Sequence, residues 1–417
     1  MKNYRNLIDE VIKKNLCCYC GTCEGVCPVN AIEVSINNIK EINNCTDCEL
    51  CYKCCPGMEF DYVQFSKDIF NTDFPEIDSE IGFYKKICKG YSNDKAVREK
   101  SSSGGAVTAI LAGLLEEDLI DAAIVAGSTD SNDFNSDVKI AKDKNGFIEA
   151  SQSKYTIIST NKIINKLNNK HKYAFVGLPC QIHGLRKAEN NVAVLKDKII
   201  IHIGLFCGFN LYPSATEFLL KKLKIEKTDI KNLKYRSGTG SGGFKVELKK
   251  GKKYFIEKHA YTFLNMIFTP RRCWKCFDFT SEFSDISVGD AWENIEGGWS
   301  RIISRTSTGN EILKLLSEKK YISVKESSKK DIILTQNHLI SYKKKWFWVR
   351  SGIIKNMPFF NIKMLSGLKI SDKISGFLLL LAQVGLSSNL FKKVILPLLP
   401  LKFLMVLSKS IRNNLTG

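Results

Sequence analysis

Cys17-x2-Cys20-x2-Cys23-x3-Cys27-Pro28 returns downstream as Cys45-x2-Cys48-x2-Cys51-x3-Cys55-Pro56. Thiolates at that spacing let one loop wrap three corners of a [4Fe–4S] cubane, with peptide N–H groups aimed at the sulfides. The distant fourth cysteine then serves the other cluster. The expected sets are Cys17, Cys20, Cys23 and Cys55 for one cluster and Cys45, Cys48, Cys51 and Cys27 for the second. Cys18 and Cys54 are left as spare thiols. Cys-x2-Cys pairs also make zinc knuckles, but two full runs, each closed by Cys-Pro, are too specific for that reading. Each cluster carries one electron, so this region is a wire, and the chemistry must lie elsewhere.

Four dispersed cysteines offer a second thiol set. Gly177-Leu-Pro-Cys180 and Phe206-Cys207-Gly each follow an apolar run, and Arg271-Arg-Cys273-Trp-Lys-Cys276 supplies a Cys-x2-Cys knuckle. Four thiolates from three loops suit a third [4Fe–4S] cluster, suit zinc nearly as well, and are also what unrelated core cysteines look like. Cys88 reads as a plain core residue.

Phosphate chemistry has two candidates. Gly238-x-Gly240-x-x-Gly243 leads into the alternating run Phe244-Lys-Val-Glu-Leu, whereas a dinucleotide loop needs a helix behind it; we read a hairpin. Ser101-Ser-Ser-Gly-Gly105 directly precedes a helical pattern. Serines at the cap and bare glycine backbone would let N–H groups point at an anion, and an ordinary N-cap is the plain alternative. Lys154 and Tyr155 could hold a cofactor or substrate or be surface residues; Asp290 and Trp292 are weaker candidates. The histidines show no ligand spacing and are assigned no role.

These residues need a scaffold. Ala106-Val-Thr-Ala-Ile-Leu-Ala-Gly-Leu-Leu carries apolar residues at helical spacing and is followed by the short run Ala122-Ala-Ile-Val-Ala. Tyr173-Ala-Phe-Val and Ile199 to Phe206 read as buried strands, and Thr216 to Leu223 as a helix. Strands alternating with helices predict an α/β unit with a largely parallel sheet. Ligands of such sheets gather at the carboxyl ends of the strands, and Cys180 and Cys207 would share that rim. The expected organisation is α+β overall, with a ferredoxin-like domain at 1–75, an α/β domain at 76–324 and a mainly helical extension at 325–417. The first boundary follows the linker-like run Asn71-Thr-Asp-Phe-Pro-Glu.

Bulk properties narrow the setting. Ten of the 15 cysteines lie between Cys17 and Cys55. Met1 to Lys14 is charged and lacks the apolar core of roughly 7–15 residues that a secretory signal needs. A cysteine-dense chain in a reducing compartment binds metal rather than forming disulfides, so a cytoplasmic location is expected. The formal charge of +19 calls for an anionic partner without naming it; no nucleic-acid fold signature accompanies it, and no nucleic-acid partner is expected. Phosphate-rich coenzymes, an acidic partner protein and anionic lipid fit equally well.

The extension ends in apolar blocks, Phe377-Leu-Leu-Leu-Leu, Val394-Ile-Leu-Pro-Leu-Leu-Pro-Leu and Phe403-Leu-Met-Val-Leu, with Lys392, Lys393, Lys402, Lys409 and Arg412 among them. None approaches the roughly 18–20 apolar residues of a spanning helix. Basic and amphipathic, the tail could lie on a membrane face, cap the core, or dock a partner subunit.

Over roughly residues 10–315 the chain resembles the beta subunit of coenzyme F420-reducing hydrogenases and dehydrogenases. The resemblance is carried by the ferredoxin pair, Ser102-Ser-Gly-Gly-Ala-Val-Thr-Ala, Ser153-Lys-Tyr, Val176-Gly-Leu-Pro-Cys-Gln and Leu205-Phe-Cys-Gly. Cys273-x2-Cys276-Phe-Asp-Phe-Thr, Asp285-Ile-Ser-Val-Gly-Asp and Arg305-Thr-Ser-Thr-Gly complete it. It implies an FAD-binding middle domain, with Cys180, Cys207, Cys273 and Cys276 on a cluster near the flavin. Cofactor contacts are implied at Ser102, Ser103, Gly104, Gly105, Lys154, Tyr155, Gly177, Pro179 and Gln181. It also implies hydride exchange with coenzyme F420 or another carrier, and a redox partner protein or subunit. A hydride brings two electrons and a cubane takes one, so something must split the pair, and a flavin can. Three alternatives stay open. One is a related flavin and iron–sulfur reductase acting on another molecule, a tetrapyrrole for example, or serving an envelope or polysaccharide pathway. The second is a relay subunit with no substrate of its own. Charge-driven nucleic-acid binding ranks last.

Overall fold

The computed structural model describes residues 2–36, 38–72, 77–130, 134–238, 241–292, 298–360 and 368–416, with side chains described as far as residue 410. Residues 73–76 of the expected linker, with the boundary at 75/76, and also Met1, Gly240 and the Arg412 side chain, lie outside the described residues.

The sheet that carries the fold has eight strands: β1 (Lys86–Ser92), β2 (Ala122–Ser128), β3 (Ser136–Ala141), β4 (Tyr173–Gly177), β5 (Ile199–Leu205), β6 (Ile286–Asp290), β7 (Ser300–Ser304) and β8 (Ile322–Glu326). Their order is β8-β1-β7-β6-β5-β4-β2-β3. Side chains alternate between its faces, as the period of two requires. Ala123, Val125, Ala174, Val176, Ile201 and Ile203 pack on one side with Ala109, Ile110 and Leu114 of α1 (Ala106–Glu116). Ile124, Tyr173 and Phe175 pack on the other with Ile182 and Leu185 of α2 (Pro179–Asn191) and with Phe60 and Tyr62, and Ile199 joins them because a register shift between β4 and β5 interrupts the alternation there. Both faces are covered, which is why the central strands read as unbroken apolar runs.

The expectation of a largely parallel sheet needs correction. Only β2, β4, β5 and β6 run parallel to their neighbours in that series. The pairings of β3 with β2, β7 with β6, β1 with β7 and β8 with β1 are antiparallel. Long crossovers join β2 to β4, β4 to β5 and β5 to β6 in parallel. The short returns β2 to β3 and β6 to β7 are antiparallel as such connections require, and β1 and β8 pair antiparallel from distant parts of the chain. The sheet extends two residues beyond the expected 324 boundary. The glycine-rich run joins antiparallel strands Ile230–Ser237 and Gly243–Leu248 of a separate three-stranded sheet, the predicted hairpin geometry.

The cysteine-rich segment is seated against this body. Gly25 faces the loop before β4 so closely that a Cβ there would stand 2.0 Å from the Asn161 carbonyl oxygen. Asn161 donates from its backbone to the Cys20 carbonyl at 2.9 Å and from its side chain to Thr22 and to the Gln181 carbonyl.

The extension is not a separate tail either. After α3 (Ser307–Glu318) and β8, α4 (Lys329–Lys343) and α5 (Lys345–Ser351) bury Lys343, Lys344 and Arg350 in the body. Phe359–Phe360 then pairs in parallel with Glu59–Phe60. Beyond the undescribed stretch, α6 (Ile370–Leu386) and α7 (Leu401–Thr416), with Leu396 between them, pack through Leu386 and Leu404 on a cluster that holds Phe244 of the small sheet and Leu219 of the helix Ser214–Lys222.

Candidate functional site

Cys17, Cys20, Cys23 and Cys55 line one small cavity with Leu7, Val11, Ile39 and Pro56. Short helices Thr22–Gly25 and Leu50–Lys53 set two of the cysteine loops. Peptide N–H groups point at the sulfurs, Tyr19 to Cys17 at 3.4 Å, Ala31 to Cys27 at 3.1 Å, Asp47 to Cys45 at 3.4 Å and Gly57 to Cys55 at 3.3 Å. Burial pushes Cys55 up to about 11, with Cys20 adding to the rise. Burial likewise lifts Cys51 to about 12, followed by Cys45, Cys48 and Cys27. Thiols that desolvate and repel one another become thiolates only around a strong positive charge. The donor chemistry fits iron–sulfur clusters; Cys18, outside the expected sets, lines the first cavity as well.

The four dispersed cysteines also converge. Cys180 stands in the first turn of α2, and Cys207 follows β5 on the adjacent parallel strand. Burial raises Cys207 to about 12 against the opposing pull of Lys343, with Cys273 and Cys276 contributing. Cys207 and Cys273 are likewise felt by Cys180. Cys18, expected to be spare, sits between the sets, with its thiol hydrogen-bonded to both Cys180 and Cys20. Cys54 is buried near the Lys187 carbonyl, and Cys88 lies in the core under α1. Among the described residues no group of three or more His, Cys, Asp or Glu converges closely enough to hold a single metal ion.

Beside the core thiols lies a cavity of about 980 Å³, at the upper end of ordinary small-molecule sites. Its wall includes Cys207, so the cavity and the core thiols share a partition. Of the nine expected cofactor contacts, Ser102, Ser103, Gly105, Lys154, Tyr155, Gly177 and Gln181 line it, while Gly104 and Pro179 do not. Gly104 is pressed between β1 and β7: a Cβ there would meet the Gly90 carbonyl oxygen at 2.5 Å and the Ser300 nitrogen at 2.7 Å. Pro179 is buried at the first position of α2.

The expected serine cap on α1 is corrected. The N-cap is Gly105, in the left-handed region (φ 74°), and no side chain caps the helix. Ser101 instead donates to the Val97 carbonyl, Ser103 to the Trp299 carbonyl, and Ser102 accepts from the Ser153 N–H. The first-turn N–H groups of α1 therefore carry no side-chain cap.

Lys154 is occupied by its own loop, donating to the carbonyls of Ala150, Ser151 and Gln152 at 2.7, 2.6 and 3.2 Å. Tyr155 meets the ammonium of Lys258, 3.4 Å from its ring centre. Burial would raise the Tyr155 phenol, but Lys258 and Arg236 outweigh it and bring the phenol below its ordinary range. Arg236 in turn pairs with Asp290 and stacks over Trp292. Gln152 Oε1 is a buried acceptor on this wall with no partner among the described residues, the kind of orphan that a bound ligand satisfies.

Sequence reasoning missed Lys258, Arg236 and Lys343. Lys258 opens a short turn just after the strand Lys253–Glu257 and Lys343 opens a lysine triplet, positions that read as solvated. It also gave the histidines no role. His183 pairs with Asp278 at 3.0 Å, and His202 bridges Glu189 and Asp285 at 2.6 and 2.9 Å, all buried.

Two family models described as the coenzyme F420 hydrogenase/dehydrogenase beta subunit match the chain, the N-term model over residues 87–165 and the C-terminus model over 170–330, and a 4Fe-4S binding domain matches 10–33. The chain is 30% identical over 246 residues to the beta chain of the coenzyme F420 hydrogenase of Methanothermobacter thermautotrophicus, spanning 56% of this chain and 82% of that protein. It is 27% identical to one of the subunits of the F(420)H(2) dehydrogenase of Methanosarcina mazei, over 75% and 85% of the two chains. To the coenzyme F420-dependent sulfite reductase of Methanocaldococcus jannaschii it is 31% identical, over 78% of this chain and 50% of that one. A chain in the F420-reducing [NiFe] hydrogenase complex of Methanosarcina barkeri shares the fold, with a TM-score of 0.55 at 24% identity over 66% of this chain and 94% of that chain.

Proposed function

The chain belongs to the coenzyme F420 hydrogenase/dehydrogenase beta-subunit family and carries a 4Fe–4S domain, and from that premise we propose an iron–sulfur flavoprotein that joins two-electron chemistry to one-electron transfer. One observation carries the reading: Cys207 belongs to the core thiol set and also walls the large cavity. A group seated there would lie against a third cluster, and Cys18 would link that cluster's surroundings to Cys20 of the first ferredoxin set.

FAD would supply the capacity to take an electron pair and give it up singly. The chain's own residues do the rest. The uncapped start of α1 offers N–H groups to phosphates, and Lys154 braces the 150–152 loop over them. Tyr155, with Lys258 and Arg236 around it, gives up its proton more readily than an ordinary phenol, and so suits proton transfer at a reacting ring. Helices α4 and α6 wall one side of the cavity. The two-electron partner in this reading is coenzyme F420 or a similar carrier. A different small molecule is the second reading, favoured by the apolar part of the cavity wall. A redox partner subunit takes the electrons, and the dense thiols suit the reducing cytoplasm, with the extension's apolar face against a membrane.

Anaerobic purification with iron, sulfide and flavin counted per chain tests this. The expected content is about twelve irons from three cubanes and one FAD, with bleaching by reduced coenzyme F420 in preference to NADPH. Absence of flavin would reduce the protein to a relay.

A further inference from the structure

We propose that part of the cavity is a binding site for the long hydrocarbon chain of a membrane amphiphile, drawn from an anionic bilayer on which α6 and α7 rest. The inference rests on the flavin reading only for what happens at the cavity's polar wall.

The cavity is lined in two styles. Ser102, Tyr155, Lys258 and Asp290 form a polar wall, whereas Leu379, Leu386, Phe391 and Leu404, together with Met266 and Ile267, form an apolar one. A hydrophilic coenzyme gains nothing from the second. Leu378 and Leu407 line the cavity and are also 58% and 43% exposed, so the wall there is outer surface and the apolar space opens through it. Around that mouth Phe377, Leu381, Val384, Leu398, Phe403 and Val406 are exposed, a cluster of large apolar side chains beyond the scattered few of an ordinary surface.

Charge selects the occupant of that face. Between Lys369 and Lys409 there are six lysines and one acid, Asp372; Lys409 spends its charge on Glu257. The remaining positive excess beside exposed leucine and phenylalanine complements an anionic lipid surface. Among the described residues no single helix is long and apolar enough to span, and α6 meets the following helical stretch at a 61° bend. A helix pair lying in the interface fits that shape. A chain entering from the bilayer would pass Leu378 and Leu407 and bring its head group to the polar wall.

The test uses the anaerobically purified full chain with its cofactors. Calorimetric titration with 1-alkyl phosphates from butyl to decyl should give one site per chain, with affinity rising by up to about fourfold per added CH2. Flotation should show capture by phosphatidylglycerol vesicles, relieved by salt, and not by phosphatidylcholine vesicles. Ala382 lines the cavity and is exposed, so A382W should fill it, cutting decyl phosphate affinity at least tenfold while vesicle capture persists. L378E, also at an exposed position, should weaken both; retained iron in each variant certifies the fold. Affinity independent of chain length, decyl binding untouched by A382W, or failure of phosphatidylglycerol vesicles to capture the protein would overturn the proposal. An iron-loaded protein without flavin that still shows the chain-length series would defeat the redox reading and leave this one intact.

Discussion

Lys343 shows how much one side chain can decide. Its ammonium is buried, donates to the Cys273 carbonyl at 3.3 Å, and stands over the Phe209 ring. Burial alone would lower its pKa, yet Cys276, Cys273 and Cys207 hold it above the ordinary lysine value. It is the counter-charge of the core thiol set. Lys343→Met should leave the iron count intact and lower the midpoint potential of one cluster. A unit charge several ångströms away at an effective dielectric near 20 is worth a few kcal/mol, so the fall should be on the order of 100 mV in an EPR-monitored redox titration. By contrast, Cys180→Ala should remove about four of twelve irons and leave the ferredoxin signals unchanged. Loss of all iron would contradict separate sites.

Asp285 works by the same physics in a structural role. Burial would raise its carboxyl, but Arg186 and His202 hold it well below the usual carboxylate range. A depressed carboxyl contributes stability that is complete above the unfolded value near pH 4 and is lost as the pH falls further. Asp285→Ala, which breaks a buried ion network, should cost about 3–5 kcal/mol in denaturant unfolding at pH 7, and the difference from the parent chain should shrink below pH 4. An equal deficit at pH 3 would show that the loss is packing alone.

At the scale of elements, the close seat of Gly25 predicts a mechanical coupling. Gly25→Val would drive side-chain atoms into the Asn161 carbonyl, so the cysteine-rich segment should lift from the body without losing its own clusters. Protease nicking between residues 60 and 86 should quicken, and electron flow from the core to an external acceptor should fall at least tenfold. Unchanged turnover would mean that this seat does not lie on the electron path.

The same elements explain what the sequence could disclose. The cysteine runs and buried strands were legible because spacing and unbroken apolar runs report local geometry. Cys180 and Cys207 could be placed on one rim because each ends a strand. Asp285-Ile-Ser-Val-Gly-Asp and Arg305-Thr-Ser-Thr-Gly were legible as motifs but not in their roles. Arg305 is buried and donates to Ser287 at 2.6 Å, to the Ile81 carbonyl at 3.0 Å and to Thr280 at 2.9 Å, tying three loops together. That function depends on Thr280 and Ser287 of neighbouring segments and on Ile81, 224 residues away, a combination that no local pattern contains. The antiparallel margins of the sheet, the glycine cap of α1 and the burial of Lys343 were hidden for the same reason: tertiary packing overrides local propensity.

On the scale of the whole molecule, three parts of the chain build one site. The cysteine-rich segment brings Cys18 beside Cys180, the sheet supplies the rim, and α4 to α7 supply the counter-charge and the roof. Removal of residues from 368 onward should therefore do more than shorten the chain. It should expose Leu219 and Phe244, widen the cavity's opening to water, and lower flavin retention on gel filtration, with iron largely kept because every proposed iron-ligating cysteine precedes that point. Full flavin retention in the truncated protein would refute the roof.

The parallel pairing of Phe359–Phe360 with Glu59–Phe60 bears on how the protein is assembled. Roughly 300 residues separate the two pairs, and a ribosome adding about 5–20 residues per second needs about 15–60 s to cover that distance. For that interval the segment just after Cys55 lacks this strand partner, so iron delivered to the cysteine loops during synthesis would arrive before the pairing forms.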